Sequence, residues 1–323
     1  WPTSLATAAT IGLVALPEMR QRGYSDALAT GTVAAGGTLG QMLPPSGALI
    51  VYGIIAEQSI GTLFTATLIP GISQMLFYCL VVWLLVRWRP SIAPPSERAS
   101  WAERGRAMLR IADMLLLLAV VLGGIVLGWF SPSEASSIGT GGALAITAWR
   151  GRLNREVLFR AFSETLRTTG LIFLVIIGAI IFSVFISVTG LTEAVGTVLS
   201  AMDMGTIPTL LVVALLLLLL GSVLDGLALM LLTTPILLPI VEGVGMSPIW
   251  FGIFITRAME IGFVHPPLGM NLYVIQGVAK DVPLGRIFKG VLPFLGSDLI
   301  HLLLIILFPA MALWLPTVIG QCP

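Results

Sequence analysis

Two stretches of this chain carry the same helix-breaking phrase. "GQMLPPSGALIVY" begins at Gly40 and "GFVHPPLGMNLYV" at Gly262; each reads Gly, three residues, Pro-Pro, one residue, Gly, then an apolar run. Pro lacks a backbone donor and Gly allows close approach, so each phrase interrupts the helix around it. The surroundings decide what such an interruption means. Runs such as Ala112–Phe130 and Gly170–Val188 reach the roughly 20 residues that span a bilayer. Only 10% of the 323 residues are charged, against about 25% in a soluble domain. Non-helical backbone at membrane depth is tolerated only where protein buries it or a cavity solvates it. The chain therefore reads as an all-α polytopic membrane protein with broken helices. Its net charge of +1 sits in loops and carries no nucleic-acid signature. Cys79 and Cys322 lie in unrelated contexts and lack metal or redox spacing.

A shift of 222 positions aligns more than the Pro-Pro phrase. Ala6, Leu16, Pro17, Gly23, Ser25, Gly40, Pro44, Pro45 and Gly47 match Ala228, Leu238, Pro239, Gly245, Ser247, Gly262, Pro266, Pro267 and Gly269. Each copy is a hairpin limb ending near Pro, then Gly, then a broken span. The expected helices are a limb over Leu5–Leu16, a broken span over Ala27–Ala56, and a helix over Thr62–Val86. Spans over 111–130 and 133–149 are expected next, then a helix over 160–188 and a short amphipathic piece, Leu191–Met202. A hairpin over Ile207–Val241, interrupted at "GSVLDG", a second broken span over Ile249–Ala279 and a last helix, Ile287–Leu315, complete the reading.

Positive charge orients these elements, because short cytoplasmic loops collect Lys and Arg. If the Ile207–Val241 hairpin re-enters without crossing, every Lys and Arg except Arg257 falls on one side. The two copies then run in opposite directions, which is the inverted repeat of a secondary transporter. Interrupted spans expose carbonyls and half-helix ends at the midplane, where Pro44, Pro45, Pro266 and Pro267 would shape a site for cations and anionic substrate groups. Two Pro kinks made only for packing are the plainer alternative. Four regions follow: a first transport part, 1–61; scaffold helices, 62–206, with a linker at 88–109; a second transport part, 207–285; and a terminal scaffold helix, 286–323. The second copy is preceded by about 110 residues and the first by two, so the repeat predicts about 100 further residues ahead of Trp1.

Ionisable residues inside the apolar spans are functional candidates. Asp225, flanked by apolar residues, is such a candidate and also suits an N-cap. Arg257 and Glu260 lie three apart on one helical face; they read as a buried pair, or Arg257 receives a substrate carboxylate. His265, ahead of Pro266-Pro267, is a candidate substrate contact. Asn271, one turn beyond, is a candidate for ion or substrate. Asp298 and His301 share a face of the last helix and read as a structural pair.

"LATAATIGLVALPEM", "TVAAGGTLGQMLPPSGALIVYG", "SPSEASS", "LDGLALMLLTTPILLPI" and "EIGFVHPPLGMNLYV" together resemble the large permease subunit of tripartite ATP-independent periplasmic (TRAP) transporters, from Thr3 to about Pro316. The resemblance implies an elevator-type fold of the ion-transporter superfamily, with two re-entrant hairpins and two broken helices. It implies Na+-coupled uptake of organic acids across the bacterial inner membrane, with no other cofactor. It also implies two partners: a small membrane subunit and a periplasmic substrate-binding protein. Cation ligands would come from Thr3, Ser4 and Thr7 at the first hairpin tip, from Gly36, Gly37 and Thr38 in the first broken helix, and from Asp225 and Gly262 in the second copy. A hard cation prefers such oxygens; the plainer alternative is Ser and Thr bonding back to their own helix. Where the family usually has Gly-Ser-Ser, this chain has Pro2-Thr3-Ser4. His265 replaces a usual Thr, and Ala258 a common Asn.

An intramembrane enzyme would need a His-Glu-x-x-His, a Gly-x-Ser-x-Gly or two facing aspartates, and the sequence has none. A passive channel is excluded only by accumulation against a gradient. An ion-coupled carboxylate symporter that works without a binding protein is the nearest alternative.

Overall fold

Helix boundaries in the computed structural model are set by a few capping side chains and by proline. The structure describes residues 4–95, 100–190, 197 and 205–321. The helices are α1 (Ser4–Gln21), α2 (Asp26–Met42), α3 (Gly47–Ile55), α4 (Ile60–Ala66), α5 (Leu68–Trp88), α6 (Trp101–Val126), α7 (Pro132–Trp149) and α8 (Arg155–Thr189). They continue as α9 (Thr206–Gly221), α10 (Gly226–Gly243), α11 (Pro248–Val264), α12 (Met270–Val278), α13 (Leu284–Leu307) and α14 (Ala310–Val318).

The matched copies fold into matched elements. Helices α1 and α10 each have 18 residues, α2 and α11 each 17, and α3 and α12 each 9. Gly23 and Gly245 turn each limb into the next helix at φ +77° and +85°, a conformation Gly adopts without a Cβ penalty. Ser25 and Ser247 then cap α2 and α11, their hydroxyls accepting from the Leu28 and Ile249 amides. Both Pro-Pro bonds, 44–45 and 266–267, are cis, and α2 and α3 meet at 42° across the first break.

Residues 1–95 and 181–323 form one compact unit. Within it each limb packs on its own broken helix and on the far half of the other copy's: α1 on α2 and α12, and α10 on α11 and α3. Helix α11 is at the centre, every residue from Ile249 to Val264 buried. Helices α2 and α13 approach backbone to backbone. A Cβ on Gly31 would run into the Gly290 carbonyl, and one on Gly290 into the Ala27 carbonyl, the small-residue contact favoured between membrane helices. The start of α13 meets the start of α2 through Arg286 and Asp26, 3.2 Å apart. Its far end meets the start of α11, where the Trp250 indole donates to the Ile305 carbonyl at 3.0 Å.

Residues 96–180 form a second unit. Helix α6 is closed off by Gly128, two residues past its end, at φ +72°, with the Trp129 amide bonding the Gly124 carbonyl at 2.8 Å. Ser131 and Glu134 form a capping box on α7. Arg150 clamps Asp113 through two nitrogens, at 2.6 and 2.8 Å.

Several expected boundaries move. The charged stretch after Leu16 is helical to Gln21, through Pro17. The expected 62–86 helix divides at Thr67, whose hydroxyl bonds the Met42 carbonyl at 2.7 Å, with Pro70 unable to supply the next amide. Helix α6 starts at Trp101, inside the expected linker, because Ser100 and Glu103 form a capping box. Helix α8 starts at Arg155. The last helix divides at Phe308, held out of helical backbone by Pro309. Most of Leu191–Met202, and Cys322, lie outside the described residues. Among the described residues five helices are long and apolar enough to cross a membrane, or six with the bent α2–α3 pair counted as one span.

Candidate functional site

The two copies meet at a buried polar junction. Ser4 opens α1 and is 1% exposed; Asn271, one turn beyond Pro267 on α12, is fully buried. The Asn271 amide nitrogen donates to the Ser4 hydroxyl at 2.6 Å and to the Ala34 carbonyl of α2 at 3.3 Å. Its buried amide oxygen has no partner. An unsatisfied buried acceptor costs about 1–3 kcal/mol, and a hard cation would satisfy it. Gly37 lets α1 lie against α2, since a Cβ there would sit 2.8 Å from that of Ala8. Gly36 faces open space, with nothing within 4 Å of a built Cβ. The Thr38 hydroxyl bonds back to the Ala35 carbonyl at 2.8 Å and lies 3.3 Å from the Tyr78 hydroxyl. Ser4 and Asn271 thus meet beside Ala34 of α2, whereas Gly36 and Thr38 are placed with Tyr78 of α5. Thr3 lies outside the described residues.

The second copy has a different junction. Gly262 approaches the end of α9 so closely that a Cβ would lie 2.5 Å from the Gly221 carbonyl carbon. Asp225 caps α10, accepting from the Leu227 amide at 3.1 Å, and its side is exposed. No described hydrogen bond joins Asp225 to Gly262.

Arg257 and Glu260 lie within a buried ionic cluster. The Arg257 guanidinium donates to Glu260 at 2.9 Å and to Asp298 of α13 at 2.6 Å, all three fully buried. The Gln74 amide of α5 donates to the same Asp298 oxygen at 2.6 Å. Both terminal nitrogens of Arg257 are therefore committed to carboxylates. Asp298 and His301 do not pair with each other: Asp298 faces Arg257, and His301 Nε2 lies 2.8 Å from the Ser73 hydroxyl. Reading the sequence alone overlooked Gln74, Ser73 and Tyr78; a Gln inside "GISQMLFYCL" was the available signal, since polar residues in spans are costly.

At the breaks, Pro44 is buried, Pro45 and Pro267 are exposed, and Pro266 is half-buried. His265 ends α11 with its side chain half-exposed and in none of the described hydrogen bonds. A mostly apolar groove of about 720 Å³ runs between α2 and α5, lined in part by Thr32, Gly36, Leu39, Tyr78, Trp83 and Phe294. Among the described residues, Gly36 is the one expected site residue on its wall.

A surface cluster ties the turns of the two copies together. Arg20 bonds Asp26 at 3.1 Å and Asp281 at 3.0 Å, while Arg286 reaches Asp26. The hydrogen bond from Arg20 holds the Asp281 carboxyl below its ordinary value.

Residues 3–311 match the family model described as the tripartite ATP-independent periplasmic transporter, DctM component. The chain is 32% identical over 315 residues to the sialic acid TRAP transporter large permease protein SiaM of Vibrio cholerae serotype O1, covering 97% of this chain and 73% of that one. It is 31% identical to the C4-dicarboxylate TRAP transporter large permease protein DctM of Pseudomonas aeruginosa, covering 99% of this chain and 74% of that one. To the isethionate TRAP transporter permease protein DctMQ of Oleidesulfovibrio alaskensis it is 31% identical, covering 96% of this chain and 48% of that one.

Proposed function

Because the chain belongs to the tripartite ATP-independent periplasmic transporter family as its DctM component, we propose that it is the large membrane subunit of a Na+-coupled uptake system for an organic acid. It is a multi-pass membrane protein, and its relatives are transporter permeases rather than enzymes. The named substrates of those relatives are sialic acid, C4-dicarboxylates and isethionate, all acids, which supports an anionic organic substrate here. A small membrane subunit and a periplasmic binding protein are the proposed partners, and the bacterial inner membrane is the proposed location.

The observation that carries this reading is the Asn271–Ser4 bond, with an unpartnered buried oxygen beside it, where the two copies meet. That oxygen, the Ser4 hydroxyl and carbonyls near Gly36 and Gly37 are oxygen donors suited to Na+. Asp225 and Gly262 are the proposed counterparts in the second copy. The half-helix starts after Pro45 and Pro267, with His265, would meet the anion. Arg257 and Glu260 position α11 behind that surface.

Opposed orientation of the copies is supported by the two ends of α13. Its 24 residues span about 36 Å; the α2 start lies at one end, beside Arg286, and the α11 start at the other, beside Ile305. Helices α1–α3 and α9–α12 would then form the moving part of an elevator.

The test is uptake into proteoliposomes holding the full-length protein and its small subunit, with binding protein loaded with each acid outside. Accumulation that needs both the binding protein and an inward Na+ gradient supports the proposal. Na+-driven uptake without binding protein would make it a simple symporter, and uptake indifferent to Na+ would remove the coupling.

A further inference from the structure

Helices α2 and α5 are tied together at both ends and part in between. At one end the Ser25 amide, ahead of α2, donates to the Ile92 carbonyl, beyond α5, at 2.8 Å. At the other end the Thr67 hydroxyl holds the Met42 carbonyl at 2.7 Å, and a Cβ on Gly71 would lie 2.7 Å from the Leu43 side chain. The groove of about 720 Å³ opens between these ties, and Tyr78 and Phe294, edge to face at 5.6 Å, form part of its wall.

The lining changes character along the groove. Met75, Cys79, Trp83 and Arg87 recur every fourth residue, so one face of α5 lines it from end to end. That face is apolar up to Val86, apart from the Tyr78 hydroxyl, which lies 3.3 Å from that of Thr38. Arg87, at the Ser25–Ile92 end, is the one charged residue of the lining among the described residues; it is exposed and in none of the described hydrogen bonds or ion pairs. Trp83 and Trp88 are exposed at the same end, as Trp is at the headgroup level of a bilayer. Arg20 and Arg286 also gather there, on Asp26 at the start of α2. Such a collection of positive charge is the mark of a cytoplasmic face.

Length and width narrow the occupant. Met75 to Arg87 is about 18 Å along a helix axis, close to one leaflet of a hydrocarbon core roughly 30 Å thick. A second helix over that length, about 10–12 Å across with its side chains, would occupy roughly two to three times the volume of the groove. An extended hydrocarbon chain is much narrower. We propose that this groove binds one anionic phospholipid of the cytoplasmic leaflet, with an acyl chain along α5 from Met75 to Val86 and the phosphate beside Arg87. A guanidinium without a protein partner suits a phosphate, and basic residues at the cytoplasmic end of a span favour anionic headgroups. The chain would pass Gly36, so the lipid would lie behind the part of α2 whose carbonyls are proposed for Na+. The site stands apart from Na+ coupling and requires only that the protein spans a membrane, as five described helices are long and apolar enough to do.

Native mass spectrometry of the purified full-length protein, delipidated and then titrated with one lipid at a time, tests this without any transport. The probes are dipalmitoyl phosphatidylglycerol, which is anionic, and dipalmitoyl phosphatidylethanolamine, which is not. Wild type is expected to retain one phosphatidylglycerol about fivefold more tightly than phosphatidylethanolamine, the worth of one basic residue at a membrane surface. Arg87→Gln, at an exposed position, is expected to erase that preference. The free thiol of Cys79 reports the groove itself: maleimide labelling, read by peptide mass, is expected to slow when phosphatidylglycerol is bound. Equal retention of the two lipids by wild type would overturn the proposal, as would a preference that survives Arg87→Gln. Labelling of Cys79 at the same rate with and without lipid would place the lipid outside the groove. A Cys79 that stays unreactive in delipidated protein would show that a protein segment fills the groove, and would overturn the site.

Discussion

Asn271 and Ser4, 267 positions apart in sequence, meet at 2.6 Å, the amide of one copy donating to the hydroxyl of the other. The bond lies in the interface that the first limb, α1, makes with α12, the far half of the other copy's broken helix. It also fixes the position of an amide oxygen that has no protein partner. Structure and proposed cation binding converge at that atom.

Arg257→Met should be among the most damaging single substitutions. It removes the guanidinium that pairs with two fully buried acidic side chains, Glu260 and Asp298, a loss of about 3–5 kcal/mol. Thermal melting and folded yield in detergent would register it as a collapse of stable protein. A variant as stable as wild type would mean the cluster is not desolvated.

Glycines at the two breaks should respond in opposite ways. Gly36→Ala places a methyl in open space and should raise stability by roughly 0.5–1 kcal/mol through its helix preference. Gly262→Ala drives a Cβ toward the Gly221 carbonyl carbon, 2.5 Å away, and overpacking should cost about 1–3 kcal/mol. Melting temperatures that move in the same direction for both would contradict this packing.

The Arg20–Asp281 contact predicts a pH effect of known sign. A carboxylate held below its ordinary value contributes stability above its unfolded pKa, and loses it as pH falls through the folded value. Asp281→Asn should therefore lower the melting temperature slightly at neutral pH and flatten the acid limb, the two proteins converging once Asp281 is protonated. Because Asp281 is 70% exposed, the effect is small and salt should erase it. An acid limb identical in the variant would refute the linkage.

What was legible in the sequence was mostly backbone chemistry. The Pro-Pro phrases, the turns at Gly23 and Gly245, and the hairpin interruption before Gly226 are local, so reading along the chain finds them. Arg257 and Glu260 were legible as neighbours because a helix brings i and i+3 together. Asp298 and Gln74 were not, because only the packing of α13 and α5 on α11 supplies them. Two misjudged boundaries had readable causes. The capping box at Ser100 and Glu103 was hidden in a charged stretch read as linker, and Pro309 divides what was read as one helix.

The central claim is that the junction between the two copies holds the coupling cation. Its most direct test is Na+ binding to the purified full-length protein, followed by titration calorimetry for wild type and Asn271→Ala. Losing one buried oxygen ligand and its hydrogen bonds, about 1–3 kcal/mol, predicts an affinity roughly tenfold weaker in a variant that still folds. Unchanged Na+ affinity in folded Asn271→Ala would place the cation elsewhere and contradict the account.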